Sequence, residues 1–182
     1  MNKFASPAKY RQAIRWLEDA GIMTWSLFFV GFPGEDASSI SNTISLLNDT
    51  APTFFGTQIW FYDQSTPIHQ RAEEFSLKGA GYTWKHKSMT WERACEGVDT
   101  MLREVKHSIY IPQTGFSFET IFYLMGKGVR LDFLKAFLAT CRDWVIAGLG
   151  DAEVDSTRFL SNLQALCADE FRQIPEQVEY SS

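Results

Sequence analysis

Ile22-Met23-Thr24-Trp25-Ser26-Leu27-Phe28-Phe29-Val30, running into Gly31-Phe32-Pro33-Gly34-Glu35, decides how this chain is read. The stretch up to Val30 is dense in apolar and aromatic side chains and hardly alternates. A strand covered on both faces, as in parallel sheets, has that composition. The glycines on either side of Pro33 then mark a tight loop. Ser38 or Ser39 is placed to cap a following helix that turns Ile40, Ile44 and Leu47 inward. Ala51-Pro52 closes that unit, and Phe55 to Tyr62 (FGTQIWFY) is a second strand of the same kind. Upstream, Ser6-Pro7 starts a helix with Tyr10, Ala13, Ile14 and Leu17 on one face, and Gly21 ends it. Helix, strand, loop, helix, strand is the order of a βα repeat, so the class is α/β with parallel pairing.

The pattern changes after Tyr62. Asp63-Gln64-Ser65-Thr66-Pro67 is turn-like, and 67–74 fits a short helix. Lys78 to His86, with two glycines and two aromatics, reads as a loop. From Thr90 the chain reads as helices. Ala94, Cys95, Val98, Met101, Leu102, Val105 and Ile109 form a long stripe at helical spacing, interrupted by Pro112. Phe118 to Met125 is a short apolar helix. Leu131 to Val145 and Phe159 to Cys167 carry two more, before a polar tail.

Composition limits the function classes. With 182 residues, 45% hydrophobic and 21% charged, the chain has enough apolar mass for a folded core. A formal net charge of -5 argues against a general nucleic-acid binder that grips phosphates. Aromatics at 15% point to large flat groups that are buried or offered to a ligand. The three cysteines, 95, 141 and 167, make neither a disulfide framework nor a CxxC pattern. They read as small buried hydrophobes in a reducing compartment, so a cytoplasmic location is expected. Met1-Asn2-Lys3 leads into a polar helix rather than an apolar leader. The run Leu27 to Val30 is far too short to span a membrane.

Chemistry is expected at the strand exits. The GFPGE turn lets a flat ligand approach the backbone, and the amides of the next helix favour negative charge. The plain alternative is a strand-to-helix turn whose glycines serve geometry alone. At the second exit, Asp63 and His69 are an acid–base pair at the ligand-binding edge of a parallel sheet, or a capped turn with a solvated histidine. His86, between Trp84-Lys85 and Lys87, belongs to a lid or to an exposed loop. His107 sits beside Lys106 in a long helix and faces solvent. No metal constellation, P-loop or nucleophile elbow is present in the sequence, and the metal expectation is none.

Taken in order, Asn2-Lys3, Lys9-Tyr10-Arg11, Ala20-Gly21-Ile22 and Phe28 to Glu35 resemble the later half of a radical S-adenosylmethionine (SAM) barrel. GFPGE is similar to that superfamily's fifth-strand motif, GxIxGxxE with a common GLPGET form. Gln58 to Tyr62, followed by Thr66-Pro67, resembles the sixth strand and its TP exit. Trp60 to Trp84, continuing into Trp91 and Ala94-Cys95, is similar to cobalamin-dependent members, nearest the phosphinate P-methyltransferase-like branch. The likeness covers roughly 1–137. It departs in two places. Leu27 stands where the pattern prefers glycine, and the CxxxCxxC that holds the [4Fe–4S] cluster is absent from the sequence.

The resemblance implies the last two βα units of a partial (β/α) radical SAM barrel, followed by an α-helical C-terminal extension. The implied organisation is barrel portion 1–75, loop 76–90, helical extension 91–175 and tail 176–182. It implies a C-terminal fragment of a cobalamin-dependent methyltransferase of natural-product biosynthesis, inactive alone. The intact relative would cleave SAM at its cluster to a 5′-deoxyadenosyl radical and deliver methyl from methylcobalamin to a small-molecule or peptide substrate. Val30, Gly31, Phe32 and Gly34 would form the adenine-side wall, and Tyr62, Thr66 and Pro67 would add cofactor or substrate contacts. The alternative is a non-catalytic module that completes a separately encoded N-terminal radical SAM half. No nucleic acid or membrane partner is expected. Strands 22–30 and 55–62 would then show a face meant for neighbours outside this sequence.

Overall fold

The computed structural model describes residues 6–112, 116–149 and 153–171. The chain divides between Ser108 and Ile109 into two compact units.

The first unit opens with helix α1, Pro7–Asp19. The Ser6 hydroxyl accepts from the Lys9 amide, and Pro7 supplies the first-turn φ. Gly21 takes φ 75 to end it, and the Ile22 amide reaches back to the Leu17 carbonyl. Strand β1, Trp25–Val30, follows. Helix α2, Ala37–Thr50, leads to strand β2, Phe54–Ile59. The two strands pair in parallel, Trp25 against Phe54 through Val30 against Ile59. The cap of α2 is Asp36, not Ser38 or Ser39. Its carboxylate accepts from the Ser39 amide at 3.0 Å, and Ser39 returns the bond through its hydroxyl. An ionised acceptor beside the helix's positive end outcompetes a serine hydroxyl one turn later. Ile44 and Leu47 are buried as their spacing implies.

Glu18 of α1 clasps the starts of both strands. Its Oε1 accepts from the Thr24 amide at 3.0 Å and the Thr53 amide at 2.8 Å, and from the Thr24 hydroxyl. Ala51 caps α2 in the left-handed region (φ 44), and Pro52 prevents continuation.

After β2 come a 3₁₀ turn, Pro67–Arg71, and a single helical turn α3, Ala72–Phe75. The segment 76–90 is not a loop. It forms antiparallel strands β3 (Lys78–Ala80), β4 (Thr83–His86) and β5 (Met89–Thr90). Gly79 at φ 93 has the Thr83 backbone where a Cβ would lie, so this hairpin needs glycine there. Along β4 the side chains alternate, Trp84 and His86 buried, Thr83 and Lys85 exposed. Helix α4, Trp91–Glu104, packs on β1 and β2 and so belongs with the first unit. Gly97 lets it approach Val30 and Ile40, and Met101 sits on Thr57. The stripe expected to run on to Ile109 stops at Glu104, so His107 is exposed but lies outside the helix.

The second unit holds a short extended pair β6 (Ile109–Tyr110) and helices α5 (Phe118–Gly126), α6 (Leu131–Gly148) and α7 (Ser156–Phe171). Leu134 and Leu138 form its buried stripe, and Trp144 stacks on Phe159 at 5.9 Å. The buried Glu170 carboxylate accepts from the Arg130 amide at 2.7 Å and the Arg130 guanidinium at 2.9 Å. This ties the end of α7 to the start of α6. The expected tail 176–182 lies outside the described residues.

The observed class is therefore mixed α/β, with a parallel β1–α2–β2 arrangement in the first unit. No helix of the described residues is long and apolar enough to cross a membrane.

Candidate functional site at the strand exits

Both strands end at the same edge because they are parallel and in register. Val30 O accepts from the Trp60 amide at 2.8 Å, which carries the pairing one residue past β2. At the first exit Gly31 and Gly34 take φ 95 and 103, in the region that favours glycine. Gly31 is also crowded. The Trp84 ring lies where its Cβ would be. The turn closes on itself, and the Glu35 carboxylate accepts from the Gly31 amide at 2.8 Å and the Phe32 amide at 3.3 Å.

This arrangement corrects one expectation. Of the amides at the start of α2 that were expected to favour an anion, that of Ser39 is taken by the Asp36 carboxylate, and in the turn itself Glu35 holds the Gly31 and Phe32 amides. Burial raises the Glu35 carboxyl above its usual range, and the two amides only partly offset this. Val30 and Gly31 are buried, Gly34 is exposed, and none of the three lines the cleft at this edge.

A cleft of about 360 Å³ opens at this edge, lined by Phe32, Trp60, Thr66, Pro67, Ile68 and Arg71. Phe32 comes from the first exit, Trp60 from the second, and the rest from the 3₁₀ turn. Phe32 meets Trp60 edge-on at 5.4 Å. Arg71 holds the rim, with its guanidinium bidentate on Glu74 at 2.6 Å and over the Phe75 ring at 4.8 Å. Of the residues expected here, Phe32, Thr66 and Pro67 converge on the cleft. Trp60, Ile68 and Arg71 complete it and were not anticipated. Trp60 lay within an apolar run that reads as core, and Arg71 lay in a polar stretch without a motif. A second cleft of about 270 Å³, beside Lys78 and Lys85, includes none of the expected residues.

Tyr62 does not face the cleft. It is buried behind Trp60, stacked at 5.2 Å, and its hydroxyl bonds His69 Nδ1 at 2.6 Å. Asp63 does not join His69. Its carboxylate accepts from the Ser65 amide at 2.8 Å, and its carbonyl accepts from the Thr66 amide at 3.1 Å, a capped turn. The Ser65 amide holds the Asp63 carboxyl below its usual range.

His86 is neither a lid residue nor an exposed one. It is buried and stacked on Trp84 at 5.4 Å, and its Nε2–H donates to the Gly31 carbonyl at 3.1 Å. Burial lowers its pKa, favouring the neutral ring, whose Nδ1 accepts from the Ser88 amide. Trp84 Nε1–H donates to the Trp60 carbonyl at 2.8 Å. The hairpin thus buttresses both exits through one histidine and one tryptophan.

The cleft offers an apolar surface built on the Phe32–Trp60 edge-to-face pair, with a guanidinium at its rim. That suits a planar heteroaromatic group. Cys95 is exposed on α4, and Cys141 and Cys167 lie on α6 and α7 of the other unit. Partial burial raises the Cys141 thiol and, together with the Glu92 charge, that of Cys95. No group of three His, Cys, Asp or Glu among the described residues converges on a metal position.

Compared with family models, curated proteins and solved structures, the chain gives no match.

Proposed function

We propose that the chain is the C-terminal portion of a radical SAM enzyme, a cobalamin-dependent methyltransferase of natural-product biosynthesis, and that its cleft is the adenine-side wall of the SAM site. The observation that carries this reading is the convergence of Phe32, from the GFPGE exit, with Thr66 and Pro67, from the second strand's exit, on one aromatic cleft. Ligands of parallel α/β sheets bind at that edge. Phe32 and Trp60 take the adenine ring, and the turn that Glu35 closes sets the position of Phe32. In the family the chain resembles, SAM supplies the adenosyl group that abstracts hydrogen. Here the residues bind and orient that group. The cysteines present do not suit the cluster, so no step is assigned to it, and cobalamin belongs to the intact relative alone.

A second reading is that the chain is a non-catalytic module completing a separately encoded N-terminal half. It is favoured by β1, whose one strand neighbour among the described residues is β2, and by Leu27 and Phe29, which stand 38% and 39% exposed. Anaerobic reconstitution of the full chain with iron and sulfide tests what both readings share. The expected result is no [4Fe–4S] absorption band. A stoichiometric band from this polypeptide alone overturns both.

A further inference from the structure

A row of polar side chains crosses one face of the small antiparallel sheet. Lys78 on β3 is the register partner of Lys85 on β4, and Lys85 is the partner of Thr90 at the end of β5. Directly opposed residues share a face about 5 Å apart. The row forms one side of the second cleft, of about 270 Å³, and Trp91 and Glu92 of α4 complete it.

Like charges placed directly opposite one another repel, and a sheet gains nothing from them. A lysine on an outer strand guards an edge, which accounts for Lys78. That reason does not extend to Lys85, because β4 is the central strand. Neither ammonium makes an ion pair among the described residues. Lys87, on the same hairpin, is settled differently. It lies over the Phe75 ring at 5.6 Å, and its ammonium donates to the Glu74 carbonyl at 3.4 Å. Glu92 does not neutralise the pair either. The Thr90 hydroxyl and its own amide hold its carboxyl below the usual range, so its charge is committed to the start of α4.

Two flexible ammonium groups that start from neighbouring positions can close on one compact dianion. A phosphate monoester carries about -1.5 to -2 charges near neutral pH and three acceptor oxygens. A single carboxylate would engage the charge of one lysine alone. Trp91 is half-buried and lines the same cleft, so a flat group attached to the phosphate has an indole to lie against. We propose that this cleft binds a small phosphate monoester with a flat organic group, its phosphate between Lys78 and Lys85 and its ring on Trp91. The cleft shares no lining residue with the one at the strand exits, and its ligand does not depend on that cleft taking an adenosyl group.

Amide chemical-shift mapping of the full chain tests this, with phenyl phosphate titrated at low salt above the second phosphate ionisation. Saturable shifts are expected at Lys78, Lys85 and Trp91. Inorganic phosphate should move the same amides with weaker affinity, for want of a ring. Lys78→Gln combined with Lys85→Gln, both at exposed positions, should weaken phenyl phosphate about tenfold, the worth of one charge-assisted hydrogen bond. Trp91→Leu should bring phenyl phosphate down to the affinity of inorganic phosphate. The amide spectrum of each variant reports its fold, and the lysine variant alone decides the matter if Trp91→Leu does not fold. S-adenosylmethionine, which carries no phosphate, should leave these amides unmoved, so the two clefts are read from separate residues. No saturable shift, shifts centred elsewhere, an unchanged affinity in the lysine variant, or phenyl phosphate no tighter than inorganic phosphate each overturns the proposal.

Discussion

Gly31 and Gly34 both take positive φ, yet replacing them has different consequences. At Gly34 the nearest atom to an added Cβ is 3.9 Å away, so Gly34→Ala adds backbone strain alone, about 1–2 kcal/mol. At Gly31 the same strain is joined by a clash with the Trp84 ring, which Trp60 and His86 hold in place. Overpacking adds about 1–3 kcal/mol. Urea denaturation is expected to rank Gly31→Ala as the more damaging change, and equal midpoints would contradict this. Glu35 makes a separate prediction. Its folded pKa lies above the ordinary 4.5, so the fold favours the protonated form. The group's contribution to stability is full below that ordinary value and is lost as pH rises through the folded one. Glu35→Gln keeps an acceptor for the Gly31 and Phe32 amides without the charge. It should gain on the wild type as pH rises through that window, whereas Glu35→Ala leaves two part-buried amides bare and costs about 1–3 kcal/mol. Thermal denaturation across pH reads both. The glycines were legible as a turn because that φ favours glycine over any residue with a side chain. The carboxylate's role was not, since a glutamate that folds back on its own turn looks in sequence like one that faces solvent.

At the scale of elements, hydrogen-bonded carboxylates hold pieces together that the apolar pattern alone leaves loose. Glu18 joins α1 to the starts of β1 and β2. Burial raises its pKa, but the bonds from Thr24 and Thr53 together outweigh that and hold it below the usual range. Glu18→Ala is expected to destabilise by about 2 kcal/mol and to speed hydrogen exchange at Thr24 and Thr53. Unchanged exchange would rule out the clasp. In the second unit the Arg130 amide, with the guanidinium, holds the Glu170 carboxyl below its usual range. That stabilisation is present above the ordinary 4.5 and is lost as pH falls through the lower folded value. Acidification should undock α7, read by the fluorescence of Trp144 as it leaves Phe159, and Glu170→Gln should abolish the acid step. The strands and α2 were legible because long apolar runs bounded by glycine and proline have few other readings. The β3–β4 hairpin was hidden. Its glycines signal a loop, and its alternation spans only Thr83 to His86. The Asp36 cap was hidden behind two serines of nearly equal merit.

Across the whole molecule, the parallel strands put the ends of two distant segments side by side, and the cleft follows from that. Phe32 and Thr66 are 34 positions apart in sequence, and periodicity says nothing about their meeting. Parallel register does, once β1 and β2 are aligned residue by residue. Trp60, Ile68 and Arg71 escaped notice because a lining residue differs from a core residue by position alone. The most direct measurement of the account is chemical-shift mapping of the full chain with added S-adenosylmethionine. Saturable shifts confined to the amides of Phe32, Trp60, Thr66, Ile68 and Arg71 are expected, diminished in Phe32→Ala. No saturable shift, or shifts centred on the Lys78–Lys85 hairpin instead, would contradict it.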